Sequence, residues 1–222
     1  MRVLSFFCFI IFNGLLFSQN LIENGKKEGS WVGYHENGKK KYEGQFHRGM
    51  EFGLFSYFDL NENLVIELNY IDTGVTSYVK IFHQNGKIKS EGVYTNKLKT
   101  SIWNSYDYDG LILNSEEYMQ GKLNGICKYY FKNGNFSEIS SYLNGKKNGL
   151  SKQYYSNGLL SSTINYENGF RHGFCQFFYN NIENSIESEG QYKIGLMDST
   201  WTFYDENKIL LKKEAYFTDI IK

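Results

Sequence analysis

The chain has 222 residues, of which 18% are aromatic, and it contains 22 glycines and no proline. This length suits one domain or one repeat array, and the aromatic content argues against intrinsic disorder. The 24 basic and 24 acidic residues cancel, so the basic excess that is typical of nucleic-acid-binding proteins is missing and no nucleic-acid partner is expected.

Residues 1–19 predict a secretory signal peptide. Arg2 precedes a short apolar run, which Asn13 and Gly14 interrupt, and such a run is too short for a comfortable transmembrane helix. The alternative is a buried N-terminal helix or strand. We expect cleavage after Ser18 or Gln19, with residues 20–24 as a lead-in. The protein would then be exported to the periplasm, the cell surface or the extracellular space.

From residue 25 to residue 222 the chain is a series of eight similar units, and such self-similarity is the mark of a repeat architecture. The units begin at Gly25, Gly49, Gly74, Lys97, Gly121, Gly145, Gly169 and Gly195. An aromatic residue recurs at the tenth position: Tyr34, Phe58, Phe82 (one residue early), Tyr106, Tyr130, Tyr154, Phe178 and Tyr204. A second aromatic residue closes each unit: Phe46, Tyr70, Tyr94, Tyr118, Tyr142, Tyr166, Tyr192 and Tyr216.

Between the two aromatic positions lies a predicted hairpin turn. Asn-Gly or Asp-Gly supplies the positive φ that a tight turn requires. The turn glycines are Gly38, Gly86, Gly110, Gly134 and Gly158. Units two, seven and eight have Glu62, Ile182 and Lys208 instead, and we expect looser or longer loops there.

The segments beside each turn alternate with period two, as strands do. The sixth position is mostly apolar, the eighth mostly polar and the tenth aromatic. The apolar residues at the sixth position are Leu54, Tyr78, Ile102, Ile126, Leu150 and Phe174. Residues of the opposite parity are also partly aromatic, as at Trp31, Phe55, Trp103 and Trp201, so the sequence leaves open which face is covered.

The predicted fold is all-β: a tandem array of about eight β-hairpins of about 24 residues, forming one elongated, twisted antiparallel sheet. A lone hairpin is marginal in water, so neighbouring hairpins must stabilise each other. The end units should be atypical, and Lys212, Lys213 and Glu214 give the last strand the charges of an exposed edge.

The pattern G-K-x-x-G-x-x-x-x-Y-x-x-N-G, with a tyrosine three residues before the next unit, resembles the MORN-repeat variants of bacterial proteins. The best matches are Gly121–Asn144 and Gly145–Asn168, and units two, three and seven depart most. The resemblance implies a repeat scaffold that has no catalytic residues to carry over. Proteins of that family are often described as antitoxins or immunity-type partners of toxins, and others act as scaffolds or membrane-associated adaptors.

The sequence offers little catalytic or metal-binding chemistry. Cys127 and Cys175 hold one repeat position two units apart, about 19 Å along the sheet, so we expect them to pack rather than to form a disulfide. The same spacing separates His35 from His83, while His47 and His172 lie in inter-unit loops. No metal site, no cofactor and no catalytic residue is expected, and the chain is predicted not to be an enzyme.

Basic residues gather near the turns between units, and they suggest a lysine row along one edge. They are Lys26, Lys27, Lys97, Lys99, Lys122, Lys146, Lys147 and Arg171. Such a row would suit anionic lipid or polysaccharide, or it would simply keep a turn edge solvated.

The leading functional hypothesis is an exported, non-enzymatic scaffold that binds a protein partner through exposed aromatic residues. The family resemblance extends this to a toxin-neutralising antitoxin or immunity-type protein. The alternative is an envelope-associated module that binds glycan or lipid. A hydrolase with an unrecognised site is a third and weaker hypothesis.

Overall fold

The computed structural model describes residues 20–217, so the predicted signal peptide lies outside the described residues. These residues form β-strands joined by turns, and they include no helix of the length and hydropathy needed to span a bilayer. The strands are β1 (Leu21–Glu23), β2 (Lys26–Tyr34), β3 (Lys40–His47), β4 (Met50–Phe58), β5 (Leu64–Tyr70), β6 (Thr76–Phe82), β7 (Ile88–Thr95), β8 (Leu98–Tyr106), β9 (Ile112–Met119), β10 (Lys122–Leu123), β11 (Gly125–Tyr130), β12 (Phe136–Leu143), β13 (Lys146–Tyr154), β14 (Leu160–Glu167), β15 (Phe170–Phe178), β16 (Ile186–Lys193), β17 (Leu196–Tyr204) and β18 (Leu210–Tyr216).

Each strand pairs antiparallel with the next strand along the chain, from β1 to β18. The one interruption is at Asn124, where β10 and β11 continue each other and both pair with β9. The strands from β2 onward therefore form eight successive hairpins, which confirms the predicted all-β hairpin array. The lead-in contributes β1, which covers the first residues of β2.

The turns follow the predicted chemistry with one correction. Unit seven has a longer loop, in which the Tyr179 N–H donates to the Ser185 carbonyl. Units two and eight do not have looser loops, because Glu62 and Lys208 both adopt the positive φ of 67° that the missing glycine would have taken. In each of these two turns an aspartate at the start accepts hydrogen bonds from turn N–H groups, which compensates for the strain. The aspartates are Asp59 and Asp205.

The two sides of the sheet differ sharply in burial. One side, which we call the packed face, carries the residues at the seventh position of each unit, which we call the seventh-position row. In unit three, which is one residue shorter, Val79 takes this place. This row consists of Trp31, Phe55, Val79, Trp103, Cys127, Ser151, Cys175 and Trp201. All of these except Trp31 are buried. The other side, which we call the open face, carries the sixth, eighth and tenth positions. The sequence left open which face of the sheet is covered. The structure shows that it is the face carrying the seventh-position residues.

Glycines make room for the largest rings of the packed face. A Cβ placed on Gly44 would overlap the ring of Phe55, one on Gly92 the indole of Trp103, and one on Gly190 the indole of Trp201. The smaller Cys175 has a larger residue, Ile164, beside it on the neighbouring strand. In these pairs the row member and the residue beside it on the neighbouring strand therefore complement each other in volume, as close packing requires.

Between most neighbouring units, the second strand of one unit and the first strand of the next are joined through a β-bulge at the fifth position. The registers between units shift there, and the fifth residue takes a positive φ. Glycine serves this position in most units, but unit four has Ser101 with φ 59° and unit eight has Ser199 with φ 60°. A side chain in this left-handed region is strained.

Replacing Ser101 by glycine should therefore stabilise the protein. We expect Ser101→Gly to raise the free energy of unfolding by about 1 kcal/mol, because glycine adopts a positive φ without a Cβ clash. Urea denaturation followed by tryptophan fluorescence measures the change. Ser101→Ala, which keeps the Cβ, is the matched control. Equal stabilities of the two variants would show that the strain account is wrong.

Unit three lacks the bulge residue. Its first strand pairs with β5 without a register shift, from Ile66 opposite Ile81 to Tyr70 opposite Ser77. Units two and three, which depart from the repeat pattern, are therefore joined by a regular ladder where other neighbouring units have a bulge. Together with Val79, which replaces a large ring in the row, this difference opens a cleft on the packed face.

Candidate functional site

The open face exposes one apolar side chain in each of six consecutive units. We call this set, the predicted sixth-position residues from Leu54 to Phe174, the apolar row. Its members are between 42% and 57% exposed, whereas the seventh-position residues beside them are buried. Successive members lie one hairpin apart, about 10 Å, so the row is about 50 Å long. Polar residues face several members across the sheet, such as Asn69, Ser141 and Asn165.

The predicted tenth-position aromatic residues lie on the same open face. Tyr34 is 59% exposed, and the others are half-buried. The hydroxyl of Tyr106 donates to Glu91 at 2.7 Å, and that of Tyr204 donates to Glu189 at 3.1 Å. Burial and the hydrogen bond to Glu91 raise the pKa of Tyr106 to about 12, so this hydroxyl stays protonated. These rings lie beside the apolar row and are tied to the sheet.

The predicted closing aromatic residues lie on the packed face and hold the seventh-position row. Phe46 contacts Phe55 with ring centroids 5.2 Å apart, Tyr94 contacts Trp103 at 4.9 Å, and Tyr192 contacts Trp201 at 5.1 Å. The tenth-position and the closing aromatic residues therefore lie on opposite faces of the sheet. The predicted turn glycines occupy the hairpin turns with φ between 79° and 90°, at Gly38, Gly86, Gly110, Gly134 and Gly158.

Third-position cations cover the rings of the packed face. Lys27 lies 4.5 Å from the ring centre of Trp31, and Lys99 lies 4.4 Å from that of Trp103. Lys147 and Arg171 lie 5.1 and 5.2 Å from the rings of Tyr166 and Tyr192. The predicted lysine row is therefore wrong for these four residues. Each is half-buried on an aromatic ring, while Lys26, Lys97, Lys122 and Lys146 remain exposed at the turns.

A polar cluster lies on the packed face between units five and six. The ammonium of Lys147 lies 2.6 Å from a carboxylate oxygen of Glu138, which also accepts a hydrogen bond from the Ser140 hydroxyl at 2.5 Å. Ser140 in turn lies 2.6 Å from the hydroxyl of Ser151, and both serines are fully buried. Burial opposes the charge on Glu138, but the bonds from Lys147 and Ser140 outweigh it and lower its pKa.

The cleft on the packed face lies between units two and three. It has a volume of about 380 Å³. Tyr57, Tyr70 and Tyr94 provide aromatic walls, and Glu51 and Lys97 provide its charged groups. Burial and the neighbouring Glu51 carboxylate raise the pKa of Tyr70 to about 12. Ile66, Leu68, Val79 and Ile81 line the remainder with apolar atoms.

The repeat geometry agrees with a comparison against protein families. The model of the MORN repeat variant matches residues 27–48, 78–96, 123–144 and 147–168. This chain contains four MORN-variant repeats. Each matched segment begins in the first strand of a unit, includes the hairpin turn, and ends one residue after the second strand. The chain is thus a repeat scaffold in which four of the eight hairpins match MORN units.

Comparison with solved structures gives partial similarities to this MORN array. The crystal structure of TarM matches with 13% identity and a TM-score of 0.32, over 43% of this chain and 19% of that chain. A mutant of S. aureus TarM in complex with fondaparinux, alpha-GlcNAc-glycerol and UDP matches with 13% identity and a TM-score of 0.33 over the same shares. The chain thus corresponds to about a fifth of the TarM length. No curated protein sequence matches the chain.

The cysteines of the MORN units are buried in the seventh-position row. Cys127 and Cys175 are both fully buried, and neither forms a disulfide. Burial raises the pKa of the Cys175 thiol to about 11, so its reactive thiolate form is suppressed. They occupy the position that tryptophan takes in other MORN units.

The histidines hold neighbouring MORN units together or pair with acidic residues. The Nε2 of His35 lies 2.9 Å from the Phe58 carbonyl of the next unit, and that of His83 lies 3.0 Å from the Tyr106 carbonyl. His47 and His172 contact Glu28 and Glu167. Within residues 20–217 there is no group of three or more His, Cys, Asp or Glu side chains that could hold a metal ion.

Sequence reasoning missed the pairing of glycine with large rings and the Glu138–Lys147 pair. A signal for the first was present. The motif Glu-Gly-x-aromatic occurs at Glu43, Glu91 and Glu189, and each time the next MORN unit has a phenylalanine or tryptophan at its seventh position. The ion pair had no such signal in the sequence, because no other unit has a glutamate at the position equivalent to Glu138.

Proposed function

We propose that this chain is an exported, non-enzymatic MORN scaffold that binds a protein partner through the apolar row of its open face. The observation that carries the proposal is the repetition of one half-exposed apolar side chain in six consecutive units. A single exposed apolar residue needs no explanation, but a regular series of them along one face favours an interaction site.

The chemistry of the open face favours a protein surface as partner. The row ends in an aromatic ring at Phe174 and includes another at Tyr78, and aromatic residues are enriched where protein interfaces derive most of their affinity. The register of the sheet keeps the members in line, so little conformational entropy is lost when a partner covers them. A partner about 50 Å long, or a helix lying along the row, would contact all six.

Two exposed lysines near the middle of the row would suit acidic groups on a partner. Lys128 and Lys152 are exposed at the eighth position, and the residues opposite them across the hairpin are Ile139 and Thr163. These ammonium groups therefore have no acidic cross-strand neighbour within their own hairpins. Acidic residues at the rim of a partner's surface would complement them and accelerate association.

A toxin-neutralising role is the specific form of this proposal. It rests on what is often described for the family and on the predicted signal peptide. Since export places the protein outside the cytoplasm, the toxin that it neutralises would also act there. An acidic toxin domain with an apolar surface strip would match the open face.

The test is affinity capture from the native envelope with residues 20–222 as bait. The triple variant Ile102→Ser, Ile126→Ser, Leu150→Ser should reduce the affinity for the recovered partner at least tenfold, since each buried apolar side chain contributes about 1 kcal/mol or more. The matched control is Leu60→Ser, Ile71→Ser, Ile194→Ser, which removes equally exposed apolar side chains outside the row. Surface plasmon resonance with the purified partner measures both variants.

Two outcomes would contradict the proposal. One is a row variant that binds as tightly as the control variant. The other is recovery of no protein together with retention on peptidoglycan or anionic vesicles. The second result would favour the envelope-module alternative, which is supported by the exposed turn lysines Lys26, Lys122 and Lys146.

A further inference from the structure

The cleft between units two and three combines three aromatic walls with one carboxylate. Tyr57, Tyr70 and Tyr94 line it together with Glu51, and its remaining lining is largely aliphatic. Its volume of about 380 Å³ is in the range of small-molecule sites. It lies on the packed face, on the other side of the sheet from the apolar row, and does not depend on the proposed partner.

The repeat shows what this cleft lacks. In units one, four, six and seven a third-position cation covers aromatic rings: Lys27, Lys99, Lys147 and Arg171. Unit two has Glu51 at that position, so the charge is reversed. None of the cation–ring contacts in the described part of the chain involves Tyr57, Tyr70 or Tyr94.

We propose that the cleft binds an organic ammonium group carrying small alkyl substituents, such as the trimethylammonium group of choline. The faces of aromatic rings attract cations, and quaternary ammonium ions are recognised by aromatic cages. The Glu51 carboxylate adds an opposite charge, and no ion pair joins it to a cation within the described residues. Ile66, Leu68 and Val79 offer apolar contacts to the alkyl groups.

Lys97 is the one lining group that opposes a bound cation. It is exposed at the turn between units three and four, with a positive φ of 64°. Water screens its charge more effectively than that of a buried group. Its removal should therefore strengthen the binding of a cation, whereas removal of the Glu51 charge should weaken it.

The first test compares two ligands of equal shape and different charge. Choline is titrated into the protein, and its neutral carbon isostere, 3,3-dimethylbutan-1-ol, is titrated in parallel. Ligand-observed NMR should show a saturable upfield shift of the N-methyl protons, because they lie over ring faces. Choline should bind about tenfold more tightly than the isostere. Equal affinities, or no saturable shift, would overturn the proposal.

Three variants locate the site. Glu51→Gln keeps the shape and should weaken choline binding about fivefold, and Lys97→Met should strengthen it about twofold. Glu51→Lys introduces the cation that four other units have at this position, so it should occupy the rings itself, abolish choline binding and raise the melting temperature. Circular dichroism checks that each variant is folded. Choline binding that Glu51→Lys leaves unchanged would place the site elsewhere and overturn the proposal.

Discussion

Gly92→Ala should destabilise the protein by about 3 kcal/mol, although it adds a single methyl group. A Cβ at this position overlaps the indole of Trp103, which is 1% exposed. The ring cannot easily move away, because its Nε1 donates to the Val93 carbonyl at 3.0 Å and Lys99 covers its face. Urea denaturation of the purified protein gives the change in unfolding free energy.

A double-mutant cycle tests the steric cause of this effect. Trp103→Val reproduces the smaller residue that the chain itself has at Val79, where the neighbouring strand carries Leu68. In that background the methyl group of Gly92→Ala has room, so its cost should fall by at least about 1.5 kcal/mol. If Gly92→Ala costs the same in both backgrounds, a clash with Trp103 is not the reason.

Lys147→Met should cost about 2 kcal/mol at pH 7, between the values typical of exposed and of buried ion pairs. The Glu138 carboxylate, with its side chain 18% exposed, would lose its cationic partner at 2.6 Å. The packing of the Lys147 stem on Tyr166 is largely kept by the methionine side chain. Lys146→Met removes an exposed lysine from the adjacent position and is the matched control, with a change of less than about 0.5 kcal/mol.

The cost of Lys147→Met should depend on pH with a definite sign. The pKa of Glu138 in the folded protein lies below its ordinary value of 4.5, so its ionised form contributes stability above that value. This contribution is lost as the pH falls through the folded pKa, because protonation removes the attraction to Lys147. Unfolding curves at pH 7 and in acid should show the difference between wild type and variant shrinking. A difference that grows in acid would contradict the assignment.

Much of the fold could be predicted from the period of the sequence. The unit boundaries, the Asn-Gly turns and the alternation of the strands are local signals, and each unit repeats them. The eight hairpins therefore follow from residues such as Gly145, Tyr154 and Gly158 and from their equivalents. The expectation of looser loops in units two and eight was wrong. The carboxylates of Asp59 and Asp205 accept hydrogen bonds from turn N–H groups and stabilise a tight turn that has no glycine.

The candidate site could be predicted only in part. The apolar residues at the sixth position were visible, but nothing in the alternation showed that the seventh position would be the covered one. The sequence suggested that Lys27 and Lys99 belong to a row of charges at the turns. Their position over Trp31 and Trp103 depends on the register between neighbouring strands. The cleft arises because unit three is one residue shorter, and its volume depends on the side chains of four strands.

The sequence by itself determined that this protein is a series of β-hairpins, because turn chemistry and period-two patterning act within a few residues of each other. The tertiary structure decided which face is buried, which residues pair across it and where the cleft lies. Those features depend on contacts between residues about 10 to 24 positions apart, where the volume of one side chain limits that of its neighbour. Gly92 and Trp103 are such a pair: each is an ordinary residue in its own strand, and together they fill one site in the packed face.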